Sequence, residues 1–503
     1  MNIKTAFKRI FLTMLLATTA LAISSCNSNP TVVDNPTITQ ESLVLFSGGS
    51  ATQLLQGLRR QMTLCVGITS QLSAYASDDY RNIFTFLSAN VDNIRALTSQ
   101  DLAIAGVGGV YFRLQQLVAT CDFGISNIIP ADASLTAPQR QNALAQARFY
   151  KGLAILMLAE NHAAFPLTER GPAVPARAAL DTAIAQFNAA SAGLSAPAFV
   201  PNPVFTINFI TQRLALARAW RRAGNRDSAA FYAQAAINTP GSAGYAFRAQ
   251  YDAQNLTNEV FPFVYTRTSR DLQVLPRLDY LDPKYTALDS PIPVLKIEEA
   301  HLILAEVELS RNNIANAKTN LRNAITAALR ADSISGFPAN PRIGNPNSAA
   351  VTVRADASAP AIPGLVRTRP GPITVYPTSF TSVRDTNAVG SISLGIGVSA
   401  NLATANTVAD LFRILYLMRQ EIFFLEGRRM SDLGIRIPLM QRQLDVNPSL
   451  SVGDGFTVAV VPSYIPPGTD MDAFTGTTAV TCAVDMNRVL AANRSQVSPF
   501  PMP

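Results

Sequence analysis

The sequence predicts a mainly α-helical protein, a scaffold of helical hairpins interrupted by one long stretch poor in helix. Three observations lead there. Apolar residues recur at three- and four-residue spacing through the first half and again over 407–433. Two distant segments, 214–237 and 302–325, align without gaps as helix, tight turn, helix. Between positions 333 and 400, Pro, Gly, Ser, Thr and Val dominate and the helical period vanishes.

The helices follow in order. "SATQLLQGLRRQMTLCVGITSQLSAYA" (50–76) and "GVYFRLQQLVATCDFGISNII" (109–129) each carry one apolar face. "NALAQARFYKGLAILMLAENHAAFPL" (142–167) is expected to run to Pro166, and "LDTAIAQFNAASAGL" (180–194) to end at Gly193. In the aligned pair, Gly224-Asn225 meets Asn312-Asn313, residues that accept the left-handed conformation ending a helix. Ala229, Ala233, Ala236 and Ile237 share a face of one second helix, and Ala317, Leu321, Ala324 and Ile325 a face of the other. Small residues there let helices approach closely, the physics of a tetratricopeptide-like hairpin that buries its face by stacking on neighbours. The two copies are separated by other sequence, so a regular tandem array is not expected.

The N-terminus reads as an export signal. Lys4, Lys8 and Arg9 precede an apolar run over residues 10–23. At about 14 residues it is shorter than the ~20 a membrane-spanning helix needs. It closes on "ISSC", which makes Cys26 the candidate for acylation and membrane attachment. The polar, Pro-containing "NSNPTVVDNP" that follows suits a tether. Of the remaining cysteines, Cys65, Cys121 and Cys482, three cannot all pair within one chain; an exported location permits a Cys65–Cys121 disulfide.

Composition excludes several function classes. The net charge is +7, and loss of the three leader cations lowers it to +4. Short basic pairs such as Arg221-Arg222 and Arg428-Arg429 read as scattered surface charge, not a nucleic-acid footprint. His162 and His301 are the only histidines; neither lies near a Cys, so no zinc site is expected and both read as packed or surface residues. GxSxG and GxxxxGK[ST] are absent, which argues against most hydrolases and nucleotide enzymes. No metal or cofactor is expected. Glycosidase chemistry using carboxylates alone stays open.

"QEIFFLEGRRMSDL" (420–433) is the place where such carboxylates gather. The segment 407–433 reads as one helix whose face is Leu411, Ile414, Leu415, Met418, Ile422 and Leu425, opened by Asp410 near the positive end of the dipole. On that helix Glu426 reaches Arg429 and Arg428 reaches Asp432, pairings worth a few tenths of a kcal/mol when exposed. Such partners lower a carboxylate pKa, whereas a general acid needs it raised, so the expectation is a structural role.

Four pieces, in order, resemble the SusD/RagB-like family of nutrient-binding outer-membrane lipoproteins: "ISSC", "ALAQARFYKGLAILMLAENHAAFPL", "IPVLKIEEAHLILAEVELSRNNIANAKTNLRNAI" and "RQEIFFLEGRRMSDL". The resemblance touches about a third of the chain. It implies four tetratricopeptide-like hairpins with a loop-rich second part bearing the ligand. It also implies an anchor through acylated, palmitate-bearing Cys26, a surface-exposed place on the outer membrane, and a TonB-dependent transporter as partner. The ligand it implies is an oligosaccharide or peptide, captured without chemistry. The rival readings are a lipid-anchored carboxylate enzyme and a purely structural helical-repeat scaffold.

The expected organisation is a signal peptide over 1–25, lipidated Cys26 with a tether to 40, and a helical scaffold over 41–330. A loop-rich insertion follows over 331–400 as the ligand face, then a returning helix over 401–434 and a loop-rich remainder to 503. Sugar faces stack on aromatic rings while their hydroxyls bind carboxylates and amides. "AYASDDYRNIF" (74–84) offers Tyr75, Asp78, Asp79, Tyr80 and Arg81 for this, in a position that resembles a ligand-side loop of the family. Its bland alternative is a helix start capped by Asp78 or Asp79. Tyr376, in "TVYPTSF", is a second candidate, and Trp220 reads as a packing residue.

Overall fold

The computed structural model describes residues 49–82, 91, 93–101, 109–194, 207–262, 264, 272–275, 278, 284–285, 287–330, 365–366, 374–375, 402–467, 471, 474–475, 481–482 and 484–503. The leader, Cys26, the tether, Tyr376, most of the 331–400 insertion and the side chains of Arg81 and Cys482 lie outside what is described.

Eight helices form the scaffold: α1 (Ser50–Tyr75), α2 (Val110–Phe123), α3 (Ala137–Asn161), α4 (Ala176–Leu194), α5 (Phe209–Arg222), α6 (Arg226–Ile237), α7 (Ile297–Ser310) and α8 (Ile314–Arg330). Each packs on the next in chain order, giving four stacked hairpins. The segment between α6 and α7 does not break the stack; α6 packs on α7 across it. Part of that segment forms β4 (Ala246–Ala249), which pairs antiparallel with β6 (Ile292–Lys296) immediately before α7.

The two aligned hairpins turn alike. Gly224 and Asn312 take φ of 74° and 58°. In each, the following Asn N–H donates to a carbonyl five residues back: Asn225 to Trp220 at 3.0 Å and Asn313 to Glu308 at 2.8 Å. This bond is the signature of a left-handed helix end. Asn225 Oδ1 then accepts from Ser228 N at 2.9 Å and caps α6. Ala229, Ala233, Ala236, Ala317, Leu321 and Ala324 are all fully buried, as a face that stacks on its neighbours requires.

One element end differs from expectation, and two glycines take unexpected roles. The 109–129 helix widens into a π-turn over Gly124–Ile128, where a β-carbon on Gly124 would lie 2.4 Å from Leu54 Cδ2 of α1. α3 starts at a capping box of Thr136 and Gln139 and stops at Asn161, short of Pro166. Residues 164–166 instead form β2 (Ala164–Pro166), paired with β3 (Ala173–Pro175). Gly193 is the penultimate residue of α4 as described, one residue from the expected end. It lies inside the helix where a β-carbon would sit 2.2 Å from the Gln141 carbonyl of α3, so its role is close approach.

The second part of the chain folds back onto this stack. α9 (Val408–Ile422) starts at a capping box of Thr407 and Asp410 and packs on α7, α8 and α12 (Met486–Ala492). Two shorter helices, α10 (Arg429–Asp432) and α11 (Gln441–Val446), lie between α9 and α12 in sequence. No helix among the described residues is long and apolar enough to cross a membrane. Cys65 of α1 and Cys121 of α2 are free and buried; the permitted disulfide is not formed. Burial pushes the Cys65 thiol up to about 12, which leaves it an inert packing group.

Gly193→Ala is expected to lower the free energy of unfolding by about 1–3 kcal/mol through overpacking. Asn312→Gly keeps the left-handed turn and is expected to change it by less than about 1 kcal/mol. Urea titration of both variants is the measurement; equal midpoints for Gly193→Ala and the parent would remove the close approach as a constraint.

Candidate functional site

The segment 420–433 is not one helix. α9 ends at Ile422, and Leu425 and Gly427 take φ of 55° and 72°, which no continuous helix allows. The turn brings Gly427 against α1, where a β-carbon would lie 3.2 Å from Thr69 Cγ2. The carbonyls released at the end of α9 are held by cations and a phenol. Lys296 Nζ donates to Ile422 O at 2.5 Å, Lys284 Nζ to Phe424 O at 2.8 Å, and Tyr285 OH to Leu425 O at 3.2 Å. Positive charge at a helix C-terminus is favourable on its own.

The charged residues of this segment find partners far away in sequence, which corrects the local pairings expected. Glu426 meets Lys296 at 2.7 Å and Lys284 at 2.5 Å, not Arg429. Arg428 donates to Glu299 at 3.2 Å and to Val294 O at 2.5 Å, not to Asp432. Asp432 is bound by Arg419 through two bonds of 2.8 and 2.9 Å and by Arg222 at 3.2 Å. Arg429 grips Asp78 through two bonds of 2.5 and 2.7 Å. The physical reason is the broken helix: with left-handed residues at 425 and 427, the three- and four-residue neighbours no longer share a face.

A second correction concerns Arg221-Arg222. These are not scattered surface charges. Arg218, Arg221 and Arg222 of α5 point into the same hub. Arg221 is 1% exposed and binds Glu306 of α7 at 2.5 Å and the Tyr416 hydroxyl at 3.2 Å. Arg218 forms a paired contact with Glu160 of α3, and Arg222 reaches the same carboxylate at 3.2 Å. Phe423 sits among the cations, with Arg419, Lys296 and Arg428 over its ring at 5.1, 5.1 and 5.7 Å. A signal was present: Arg218, Arg221 and Arg222 fall at helical spacing from Leu214, and Glu299 and Glu306 are seven apart, so each set shares a stripe with core residues. Charge on a buried stripe needs a buried partner.

The carboxylates are tuned in opposite directions. Burial alone would raise Asp432, but Arg419, Arg222 and Arg221 outweigh it and hold the carboxyl far below its usual range. Glu160 follows the same pattern, burial opposed and overcome by Arg218 and Arg222. Burial raises Glu299 above its ordinary value despite Arg218 and Arg419 nearby. The ion-paired carboxylates Asp78, Glu160, Glu299, Glu306, Glu426 and Asp432 are all buried and bound to guanidinium or ammonium groups. Such an arrangement locks elements together.

The candidate ligand loop is tied into this hub. It follows the C-terminus of α1 as a turn leading into β1 (Tyr80–Asn82), which pairs with β5 (Leu272–Val274). Neither Asp78 nor Asp79 starts a helix. Tyr75, Asp78, Asp79 and Tyr80, the expected ligand contacts, are buried. Asp78 is held by Arg429, Asp79 accepts from Gln420 at 3.1 Å, and Tyr80 stacks on Phe424 at 5.6 Å. Their polar atoms and ring faces are engaged by the protein itself. Arg81 follows directly on the strand. Asn487 of α12 closes a chain of bonds to Gln420 at 3.0 Å and from Arg429 at 3.1 Å.

The two histidines lie apart. His162, just after α3, is fully buried edge-on to Tyr111 at 5.3 Å. Its Nδ1 lies 3.2 Å from Ile437 O, which requires the proton on Nδ1. Burial lowers its pKa to about 4. His301 of α7 is also lowered to about 4 by burial. Among the described residues no group of three or more His, Cys, Asp or Glu side chains is placed to hold a metal ion. Trp220 is partly buried against the core, a packing position.

No protein-family model matches the chain, and a search of curated proteins finds no match. Solved structures do match. NanU from B. fragilis aligns at 11% identity with a TM-score of 0.55, covering 84% of this chain and 99% of that one. A SusD superfamily protein from Bacteroides vulgatus aligns at 13% identity with a TM-score of 0.54, covering 81% and 99%. A SusD-like carbohydrate binding protein from Bacteroides vulgatus aligns at 15% identity with a TM-score of 0.50, covering 76% and 82%. The chain therefore has the SusD-like fold, mainly α-helical with tetratricopeptide-like hairpins.

Removing one partner of a buried pair leaves the other uncompensated. Arg429→Ala is expected to cost about 3–5 kcal/mol, and Asp78→Asn with Arg429→Met together less than the sum of the two single changes, by urea denaturation. For His162, an unfolded-state pKa near 6.5 and a folded one of about 4 mean that the unfolded chain binds more protons between them. Stability is full above about pH 6.5 and falls as pH drops toward 4. His162→Gln is expected to flatten that fall by on the order of 3 kcal/mol; an unchanged slope would show that the ring is already charged when folded.

Proposed function

We propose that the chain is a lipid-anchored, outer-membrane nutrient-binding protein that captures oligosaccharides, with peptides as the second ligand class, and delivers them to a TonB-dependent transporter. The observation that carries this reading is the SusD-like fold itself, shared with a protein described as carbohydrate binding. The leader and "ISSC" support export and acylation at Cys26.

The way the hub uses its carboxylates supports capture rather than bond breaking. A glycosidase needs one carboxyl open to the leaving oxygen and another open to the sugar. In the segment where acidic residues gather, the ion-paired ones are sealed against Arg and Lys. The buried residues Tyr75, Asp78, Asp79 and Tyr80 act by fixing the start of β1, and Arg81, the next residue of that strand, is the first ligand contact. Tyr376, in the insertion, supplies the stacking ring.

Affinity electrophoresis and calorimetry against a glycan and peptide panel test this. Arg81→Ala and Tyr376→Ala are expected to weaken binding about tenfold each, ~1.4 kcal/mol, without lowering the melting temperature. Cys26→Ala is expected to abolish incorporation of labelled palmitate. Turnover of a fluorogenic glycan, lost on changing a single Asp or Glu, would replace the binding reading with the enzymatic one.

A further inference from the structure

The last long-range link in the hub runs from α12, near the end of the chain, to the residues just before β1. Asn487 of α12 is buried, as are Gln420, Arg429, Asp78 and Asp79. Its Oδ1 accepts from Arg429 Nη1 at 3.1 Å, and its Nδ2 donates to Gln420 Oε1 at 3.0 Å. Gln420 Nε2 donates in turn to Asp79 Oδ1 at 3.1 Å. Arg429 itself holds Asp78. Two arms therefore leave Arg429, one direct and one through two amides, and end on adjacent carboxylates.

This chain of bonds has a direction. A guanidinium only donates and a carboxylate only accepts. Arg429 decides which end of the Asn487 amide faces it. Asn487 then decides how Gln420 lies, and Gln420 presents its NH2 to Asp79. Neither amide can turn over alone without setting like against like, and a buried mismatch forfeits the bond together with its desolvation cost. Asp79 O accepts from Leu275 N at 2.9 Å beside β5, so whatever fixes Asp79 also fixes the β1–β5 pair. α12 is anchored to α9 by Arg413, which binds the N-cap Asp485 at 3.1 Å.

We propose that Asn487 is a positioning residue for β1, and that α12 sets through its amide how the strand bearing Arg81 is presented. The mechanism stands on the direction of these bonds; its consequence for binding rests on the reading of β1 as the ligand strand.

Hydrogen–deuterium exchange of the mature protein, followed over β1, β5 and Leu275, tests the proposal with no ligand present. Binding by Arg81 is tested separately by Arg81→Ala, so each can fail without the other. Asn487→Asp, nearly isosteric, keeps an acceptor for Arg429 and removes the donor to Gln420. Gln420 can then bond to position 487 only by turning its Oε1 onto Asp79. Exchange over β1, β5 and Leu275 is expected to quicken about tenfold, with α5 and α6 unchanged. Asn487→Asp combined with Asp79→Asn exchanges both ends of the chain. Gln420 turns over, every donor again meets an acceptor, and exchange is expected to return to the parent rate. Unchanged exchange in Asn487→Asp, a quickening equal in all helices, or a double variant as fast as the single one overturns the proposal. If Asn487→Asp alone does not fold, the double variant decides: parent-like exchange supports the proposal, and rapid exchange or failure to fold overturns it.

Discussion

Ionic side chains buried together must satisfy one another, and that requirement organises this molecule. Arg218, Arg221, Arg419, Arg428 and Arg429 are all withdrawn from bulk water and Arg222 is mostly so, as are the carboxylates that bind them. Each guanidinium offers five donors in a fixed plane, so its partners must be placed with matching geometry. Two-bond contacts to Glu160, Glu306, Asp432 and Asp78 provide it. Replacing such a network by apolar residues often costs nothing in stability, so its value here is positional. It specifies where the C-terminal part docks.

That docking joins two kinds of structure. The hairpin stack is local: each helix pair closes through a short turn and buries small side chains against the next pair. Such a stack has no intrinsic end and no unique partner face. The hub supplies one. α5 contributes three arginines, α7 two glutamates, α3 one glutamate, and α9 with its turn the complementary set. Phe423 fills the centre with an apolar ring whose face attracts the cations around it, which lets charge and packing coexist in one place.

The 75–81 loop, expected to meet a ligand, is tied into the hub through Asp78. Two tyrosines flanking two aspartates are suited to a sugar, and equally to a buried turn. Sequence proximity does not distinguish them, because the deciding partner, Arg429, lies about 350 positions on. The same limit applies to 420–433, where the residues were identified and their partners were not. Helical spacing predicts neighbours only while the helix continues, and Leu425 in a left-handed conformation ends it.

The sequence by itself determined what depends on short range. Apolar periodicity placed the helices, Gly and Asn placed the hairpin turns, and runs of small residues marked the faces that stack, since each is set by backbone preferences within a few residues. The end of α3, the break after Ile422 and the identity of every buried ion pair depended on contacts between distant parts of the chain. The β2–β3 pairing ends α3 before Pro166, and the close approach to Gln141 gives Gly193 its place inside α4. A charge's neighbours can mark it as lying on a buried stripe, as on α5, but cannot name its partner. Only when distant helices come together does the loss of solvent force it to find its partner.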